Sequence, residues 1–237
     1  MAYFSHALLF LFGLIIGSFL NVSIWRYKPD QNVFAVSRIG GRSNCPYCFK
    51  ILHWNELVPI FSFLIQGGKC RSCRARLSFQ YPLVEFLSGI IFVGVPIFLS
   101  RFYGIKNFVF VSFQAPPWFY GLVFVWLAIF LIWFLIVAID IKEYLVPNEL
   151  NLILAVLGAI LTLILFTHRE SLLIFQASFL KQFSLLFTPL QNIVLSHALG
   201  ALAGSVLFSL IIFLSRGRGM GFGDVKLALG IGWLLGF

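Results

Sequence analysis

An acidic residue that follows a run of glycines stands near the end of the sequence. Gly219–Lys226 reads GMGFGDVK, and the apolar run Leu227–Phe237 follows Asp224 closely. A carboxylate at membrane depth is costly in free energy, so an acidic residue that opens an apolar segment is a candidate functional group. The glycines permit positive φ and a close approach of another chain. A helix cap after a glycine turn is the alternative, and it is the better explanation of this short pattern taken alone.

A second carboxylate, Asp140, ends a long apolar segment 84 residues before Asp224. Of the eight acidic residues, only these two, Glu85 and Glu149 lie within or at the edge of an apolar segment. Two carboxylates that meet in a partly dry site share one proton, so that one activates a water and the other donates to the scissile carbonyl, as in aspartic proteases. Two independent helix caps are the alternative. Because both residues are expected at one membrane boundary, we favour a catalytic pair.

Four cysteines are the second group that could do chemistry. Cys45 and Cys48 form one CxxC pair, Cys70 and Cys73 form another, and 21 residues separate the two pairs. This spacing is close to that of four-cysteine zinc ribbons, in which each pair directs two thiolates at one metal. Two disulfides are the competing interpretation, which a reducing cytosol disfavours. We predict a structural zinc ion whose four ligands all come from the protein.

The composition indicates that a membrane surrounds these groups. The 237 residues are 60% hydrophobic and 11% charged, with a mean hydropathy of +0.98, and a soluble domain needs a more charged surface. We predict an all-α polytopic membrane protein with about six transmembrane helices and a small cytoplasmic zinc-ribbon-like insertion. The net charge of +9 does not indicate nucleic acid, because nine of the 17 Lys and Arg residues cluster in Arg26–Arg76. Such a cluster marks a cytoplasmic loop beside anionic lipid.

The first apolar segment, Met1–Trp25, carries no charge and is followed by Arg26. We therefore expect a retained helix with its N-terminus outside. Gly13 and Gly17 in this segment form a GxxxG pattern, which permits close helix contact. The further spans are predicted at about 83–100, 118–139, 149–166 and 193–214, with a last segment from residue 224. An amphipathic interfacial helix is expected in the external loop 167–192.

Alternation of the spans places the loops 26–78, 141–146 and 215–223 inside, with nine, one and two basic residues, and leaves two in each outside loop. Asp140 and Asp224 then both lie at the cytoplasmic boundary. The expected divisions are a first helix at 1–26, a cytoplasmic zinc-binding loop at 27–78 and a membrane-embedded aspartic peptidase domain at 79–237. The 14 residues from Asp224 onward span about 21 Å as a helix, against a hydrocarbon core of about 30 Å. We therefore expect the last helix to be incomplete.

Taken together, these motifs resemble those of bacterial prepilin peptidases, or type IV leader peptidases, a family of GxGD-type membrane aspartic proteases. The resemblance covers nearly the whole chain and rests on GSFLNVSIWR at 17–26, CPYC at 45–48, WNELVP at 54–59, CRSC at 70–73, YPLVE at 81–85, AID at 138–140, PN at 147–148 and GFGDVK at 221–226. It implies that Asp140 and Asp224 are catalytic. It also implies that Gly221, Gly223 and Lys226 belong to the active-site loop.

The resemblance further implies an enzyme of the bacterial cytoplasmic membrane whose active site faces the cytoplasm. Its substrates would be type IV prepilins or type II secretion pseudopilins, which lose a basic leader just before a hydrophobic helix. Many members then N-methylate the new terminus with S-adenosylmethionine, and Glu85 and the zinc loop are the candidates for that site. The expected partners are the substrate helix and the lipid bilayer, without nucleic acid.

Other functions remain open from the residues alone. A proton-coupled transporter could use Asp140 and Asp224 as proton carriers, although the internal repeat expected of a transporter is not evident. A membrane-anchored zinc-ribbon scaffold would use the four cysteines without catalysis. A related GxGD protease could act on a different membrane substrate.

Overall fold

The computed structural model describes residues 2–29, 33, 40–103, 105, 115–168, 193–216 and 221–236. The regular elements in these residues are helices, with two isolated antiparallel β-bridges in the cysteine loop. The elements are α1 (Ala2–Arg26), a 3-10 helix (Trp54–Glu56), α2 (Phe61–Ile65), α3 (Gln80–Phe102), α4 (Pro117–Glu143), α5 (Asn148–Thr167), α6 (Ile193–Leu214) and α7 (Phe222–Leu235). The interfacial helix predicted for the loop after α5 lies outside the described residues.

Five of these helices are long and apolar enough to cross a membrane, namely α1, α3, α4, α5 and α6. The final helix, α7, is also apolar but has only 14 residues. Large apolar side chains such as Phe4, Leu152 and Phe213 are exposed on the helix surfaces, as is required of residues that face lipid. The predicted all-helical membrane fold is confirmed.

Two predicted element boundaries were wrong by a few residues. Helix α4 does not stop at Asp140 but continues to Glu143, so that the connection to α5 is shorter than the predicted turn. The connection begins at Tyr144, which ends α4 in the left-handed conformation with φ 52°. Helix α7 begins at Phe222 rather than at Asp224.

The chain divides into two compact units, with the division in α3 after Ile97. In the first unit, α1 packs closely against α3. A Cβ atom at Gly13 would lie 2.7 Å from the Cα of Gly89, and one at Gly17 would lie 2.7 Å from the Cα of Glu85. These separations exclude a larger residue unless the backbones move apart, so the close contact that the GxxxG pattern permits is present between α1 and α3.

In the second unit, α7 packs against both α5 and α6. A Cβ atom at Gly158 of α5 would lie 2.8 Å from Cδ1 of Trp233 on α7. Gly200 of α6 and Gly232 of α7 face each other so closely that a Cβ on either residue would overlap the other backbone. His197 Nδ1 also makes a hydrogen bond with the carbonyl oxygen of Trp233. Backbone contact between small residues therefore fixes the position of α7 in this unit.

Candidate active site and metal site

Asp224 occupies the third position of α7 rather than its cap. The cap residue is Gly221, whose extended backbone (φ −89°, ψ 162°) precedes the first helical turn. The N–H of Gly221 donates to Oδ2 of Asp224 at 3.1 Å, and the N–H of Asp224 donates to the carbonyl oxygen of Gly221 at 3.2 Å. The first of these bonds is one half of a capping box, in which the side chain of the third helical residue accepts from the N–H of the cap residue. Gly221 has no side chain, so the return bond uses its carbonyl oxygen. Within the described part of the chain, Oδ1 of Asp224 has no hydrogen-bond partner and is available to another group.

Asp140 lies in the last turn of α4, where its side chain is exposed. Its carbonyl oxygen accepts a hydrogen bond of 2.8 Å from the N–H of Tyr144, which closes the helix. Nearby, Lys142 and Glu143 form an ion pair at 2.9 Å. The helix end is thus satisfied by its own backbone, and the Asp140 carboxylate takes no part in capping it.

A hydrogen bond joins the start of α7 to the connection that follows Asp140. Lys226 Nζ donates to Oδ1 of Asn148 at 2.8 Å, across 78 positions of sequence. A Cβ atom at Gly223 would lie 3.5 Å from Cβ of Val146, which is ordinary van der Waals contact. The glycine turn that carries Asp224 therefore lies against the α4–α5 connection, and Asp140 is in the helical turn just before it.

The two carboxylates are not hydrogen-bonded to each other among the described atoms. What the structure brings together is the residues that flank them: Gly223 and Lys226 on one side, and Val146 and Asn148 on the other. The predicted pairing of Asp140 and Asp224 therefore stays a prediction. Asn148 contacts the candidate active-site loop through Lys226, and no role was predicted for it, although the Pro-Asn pair that contains it is one of the motifs behind the resemblance.

The four cysteines lie in two loops of the same design in the first unit. In each loop the N–H of the first cysteine donates to the carbonyl five residues later, at 3.0 Å for Cys45 and 2.9 Å for Cys70. The residue four positions later donates back to the cysteine carbonyl, at 3.0 Å from Phe49 and 2.9 Å from Arg74. Phe49 and Arg74 both have a left-handed backbone conformation, with φ of 57° and 56°. Each CxxC therefore forms the tight turn that can direct two sulfurs at one point.

The sulfur positions fit a single tetrahedral metal. All four Sγ atoms lie within 4.8 Å of one another, and those of Cys45 and Cys73, from different pairs, are 3.9 Å apart. Zn–S bonds of about 2.3 Å in a tetrahedron place the sulfurs about 3.8 Å apart, whereas a disulfide requires about 2.05 Å. All four cysteines are free thiols. The geometry therefore matches the predicted ligand set and not the two disulfides.

The backbone of the second loop favours a thiolate. The N–H groups of Cys73 and Ser72 donate toward the sulfur of Cys70 and lower the pKa of that thiol to about 6. At Cys73 the N–H of Ala75 lowers the pKa, but desolvation and the neighbouring thiols outweigh it and raise the pKa to about 11. In this loop the Cys70 thiol thus ionises readily, and a second thiolate at Cys73 is disfavoured. A bound cation would allow all four to ionise together.

This fold and these sites define a class of protein. Its members are polytopic helical membrane proteins with a four-cysteine insertion and an acidic residue in a glycine-rich helix start. Residues 11–99 match the family model described as Bacterial Peptidase A24 N-terminal domain, and residues 125–237 match the Type IV leader peptidase family. The second match includes both Asp140 and Asp224.

Relatives match over almost the whole chain. A Bacillus subtilis protein named Prepilin leader peptidase/N-methyltransferase is 34% identical over 230 residues, which is 97% of this chain and 73% of that protein. A protein of the same name from Aeromonas hydrophila is 31% identical over 99% of this chain and 74% of its own length. The corresponding Vibrio cholerae protein is 28% identical over 100% and 79%. No solved structure gives a significant match. The chain belongs to the type IV leader peptidase family, and the comparisons support neither a transporter nor a scaffold.

Proposed function

We propose that this protein is a membrane aspartic endopeptidase that removes the basic leader of type IV prepilins or type II secretion pseudopilins, with Asp140 and Asp224 as the catalytic pair. Membership of the type IV leader peptidase family supports the activity. One structural observation supports the pair. The hydrogen bond from Lys226 to Asn148 holds the turn that carries Asp224 against the connection that follows Asp140.

The proposed chemistry needs a water held between two carboxylates that share one proton. The ionised carboxylate takes a proton from the water as it attacks the scissile carbonyl, and the protonated one donates to the carbonyl oxygen. Asp224 Oδ2 is already held by the N–H of Gly221, which leaves Oδ1 for this work. Catalytic hydrogen bonds commonly tighten only when substrate binds, so a pair that is not yet in contact is compatible with the mechanism.

We propose that the active site faces the cytoplasm and the N-terminus lies outside. The nine basic residues of Arg26–Arg76 support this orientation, since cytoplasmic loops carry the excess of Lys and Arg. The substrate would then place its hydrophobic helix in the bilayer beside the enzyme and its basic leader in the cytoplasm. Exposed apolar side chains on α4 and α6, such as Phe124 and Leu202, provide lipid-facing surface for such a helix.

We propose zinc as the resident metal of the cysteine cluster, held by Cys45, Cys48, Cys70 and Cys73. The four protein ligands would leave no open position for substrate or water, so the ion would supply folding energy to the loop and no catalysis. The proposed divisions of the chain are the first helix at 1–26, this zinc-binding loop at 27–78 and the peptidase domain at 79–237.

A second proposed activity is N-methylation of the new N-terminus, which the name of the relatives includes. S-adenosylmethionine would supply the methyl group. The donor carries an α-ammonium group as well as its sulfonium, so its site needs acceptors for N–H groups. The first unit offers such acceptors in the buried side chains of Glu85 and Asn21.

The peptidase proposal is tested with purified protein and a peptide that joins a basic leader to an apolar helix. Asp140→Asn and Asp224→Asn should each lower kcat/KM by about 10³-fold or more, because the amide keeps the size of the side chain but cannot act as the base or share a proton. The double variant should be little worse than either single variant, since the pair acts as a unit.

Two carboxylates near the same helix ends serve as matched controls. Glu143→Gln and Glu149→Gln should keep most of the activity, because neither residue belongs to the proposed pair. Near-normal cleavage by either aspartate variant would refute the aspartic-protease mechanism and return the transporter and the scaffold to consideration.

A further inference from the structure

A cavity of about 230 Å³ lies in the first unit, between the end of α1, the cysteine loop and the start of α3. Trp25, Leu57 and Phe63 contribute apolar walls, while Asn21 and Glu85 contribute polar atoms. The volume is below the range of about 300–1,000 Å³ of most ligand pockets, so the cavity would enclose one end of a ligand rather than a whole drug-sized molecule. An apolar cavity with a few convergent polar groups is the usual form of a small-molecule site.

Glu85 brings a buried carboxylate to this cavity. It is only 7% exposed, and its Oε2 accepts a hydrogen bond of 2.7 Å from the N–H of Ile60. The Ser18 hydroxyl also bonds to it. Neither partner carries a charge, and in the described ranges no cationic side chain forms an ion pair with Glu85. A buried carboxylate without a cation is unfavourable, so this site favours a positively charged ligand.

Asn21 adds a second acceptor that has no partner. The residue is 3% exposed, and its Nδ2 donates to the carbonyl oxygen of Tyr81 at 3.0 Å. That bond fixes the orientation of the amide, and Oδ1 is left without a hydrogen-bond donor among the described residues. A buried acceptor without a donor costs about 1–3 kcal/mol. The cavity therefore presents an acceptor without a donor beside a carboxylate without a cation, and a positively charged donor would satisfy both.

The residue that donates to Glu85, Ile60, has a strained backbone conformation. Ile60, a β-branched residue, has φ 60° and ψ −52°. Such a conformation costs about 1–3 kcal/mol and persists only where the surroundings impose it. The residues that impose it here hold the Ile60 N–H on Glu85. The strained turn thus fixes Oε2 of Glu85 at the edge of the cavity.

The remaining charged and aromatic groups of the cavity also suit a cation. The rings of Trp25 and Tyr81 stack with centroids 6.0 Å apart and planes 9° apart, and aromatic faces attract cations. Glu56 adds a second carboxylate, which accepts from the N–H of His53 at 3.0 Å. Among the described residues that line the cavity, Arg26 is the cation, and it donates to the carbonyl oxygens of residues 40 and 42 at 2.7 and 3.2 Å. Within the described lining, the carboxylates of Glu56 and Glu85 thus outnumber the guanidinium of Arg26.

We propose that this cavity binds a primary ammonium group, held by Glu85 and by Oδ1 of Asn21, with the adjoining apolar part of the ligand against Trp25. A sulfonium or a quaternary ammonium has no N–H and would leave the Asn21 acceptor without a donor. Two molecules of the proposed reactions carry a suitable ammonium: the new N-terminus of a cleaved substrate and the amino-acid end of S-adenosylmethionine. Only this choice of source rests on the proposed function.

The test measures binding rather than cleavage, by titration calorimetry on the whole zinc-containing protein at neutral pH. The probes are S-adenosylmethionine, S-adenosylhomocysteine, leucyl-leucinamide and its N-acetyl form. Tight and similar binding of the two adenosyl compounds, which share the ammonium but not the sulfonium, would identify the methyl donor as the source. Binding of the free dipeptide amide but not of its acetylated form would identify the peptide terminus.

Whichever probe binds, Glu85→Gln should raise its Kd at least 30-fold, and Asn21→Leu should raise its Kd several-fold. Glu143→Gln, in the other unit, should change nothing. An unchanged zinc content and melting temperature for Glu85→Gln would establish that the variant is folded. Binding that Glu85→Gln does not alter, equal binding of the acetylated peptide, or no binding of any probe would overturn the proposal. If the wild-type protein bound a probe but did not cleave the leader–helix peptide, that result would count against the peptidase proposal alone.

Discussion

The contact that most directly links the two halves of the proposed active site is the hydrogen bond between Lys226 and Asn148. Its length of 2.8 Å is that of a charge-assisted bond, and Lys226 also lies 5.8 Å from the centroid of the Phe222 ring. The informative changes are Lys226→Met, Asn148→Leu and the two combined. Methionine keeps most of the apolar stem and its contact with Phe222, so that chiefly the hydrogen bond is removed.

The size of the effect follows from the exposure of the pair. A hydrogen bond to a charged group is worth about 1.5–3 kcal/mol when protected, and an exposed ion pair is worth at most about 1 kcal/mol. Both partners are exposed, so we expect about 1 kcal/mol for the contact. If that energy holds the Asp224 turn in place for catalysis, each single change lowers kcat/KM about fivefold, at 1.36 kcal/mol per tenfold.

The assay is a double-mutant cycle on kcat/KM for the leader–helix peptide. The kcat/KM of the double variant should be no lower than that of the less active single variant, which gives a coupling energy of about 1 kcal/mol. Glu143→Gln is the control, because it breaks the ion pair with Lys142 at the end of α4 without touching α7. If the effects of Lys226→Met and Asn148→Leu simply multiply, the contact does not position the catalytic turn and the reasoning is refuted.

Two further predictions concern the metal and the packing of α7. Protein purified without chelator should contain one zinc per chain, and Cys45→Ser should lose the metal and lower the melting temperature, because metal binding contributes folding energy; elemental analysis that finds no zinc in the wild type would contradict this. Gly232→Ala should destabilise the protein by about 1–3 kcal/mol because its new methyl group meets the backbone of α6. Gly230→Ala, two positions away with nothing within 4 Å of its Cβ, should be neutral or stabilising by about 0.5–1 kcal/mol, and equal unfolding temperatures for the two variants in detergent would refute the packing argument.

The sequence was most informative where local spacing determines structure. Long stretches without charge predicted the spans, because only helices satisfy their backbone within a bilayer. The two CxxC pairs predicted a four-sulfur cluster, because each short loop can fold in only a few ways around a metal. Gly13 and Gly17 likewise indicated where α1 approaches another helix, and α3 lies there.

Contacts between distant positions could not be predicted in this way. Nothing in the spacing of Lys226 and Asn148 shows that they meet, because that contact depends on how α5 and α7 pack. The acceptor of Asn21 is a similar case, since an acceptor is recognised as free only when its neighbours are known. The end of α4 was also misplaced, because the left-handed Tyr144 rather than the charged Asp140 terminates the helix.

The hydrogen bond from the Gly221 N–H to Asp224 bears directly on the two interpretations of Asp224, as a cap or as a catalytic group. Its Oδ2 accepts from the N–H of Gly221, so the side chain does stabilise the helix start. An asparagine oxygen can accept the same hydrogen bond, whereas alanine cannot. Asp224→Asn should therefore keep the stability of the wild type and lose cleavage, while Asp224→Ala should lose both cleavage and about 1 kcal/mol of stability.

These two variants separate structure from chemistry at one position. If Asp224 only capped the helix, the asparagine variant would cleave normally and the alanine variant would be impaired only in proportion to its lower stability. If Asp224 is also catalytic, both variants are inactive although one of them is fully stable. Because the cap uses Oδ2 and the proposed chemistry uses Oδ1, the two roles do not compete for the same oxygen. The cap then serves to hold the catalytic oxygen in one orientation before the substrate arrives.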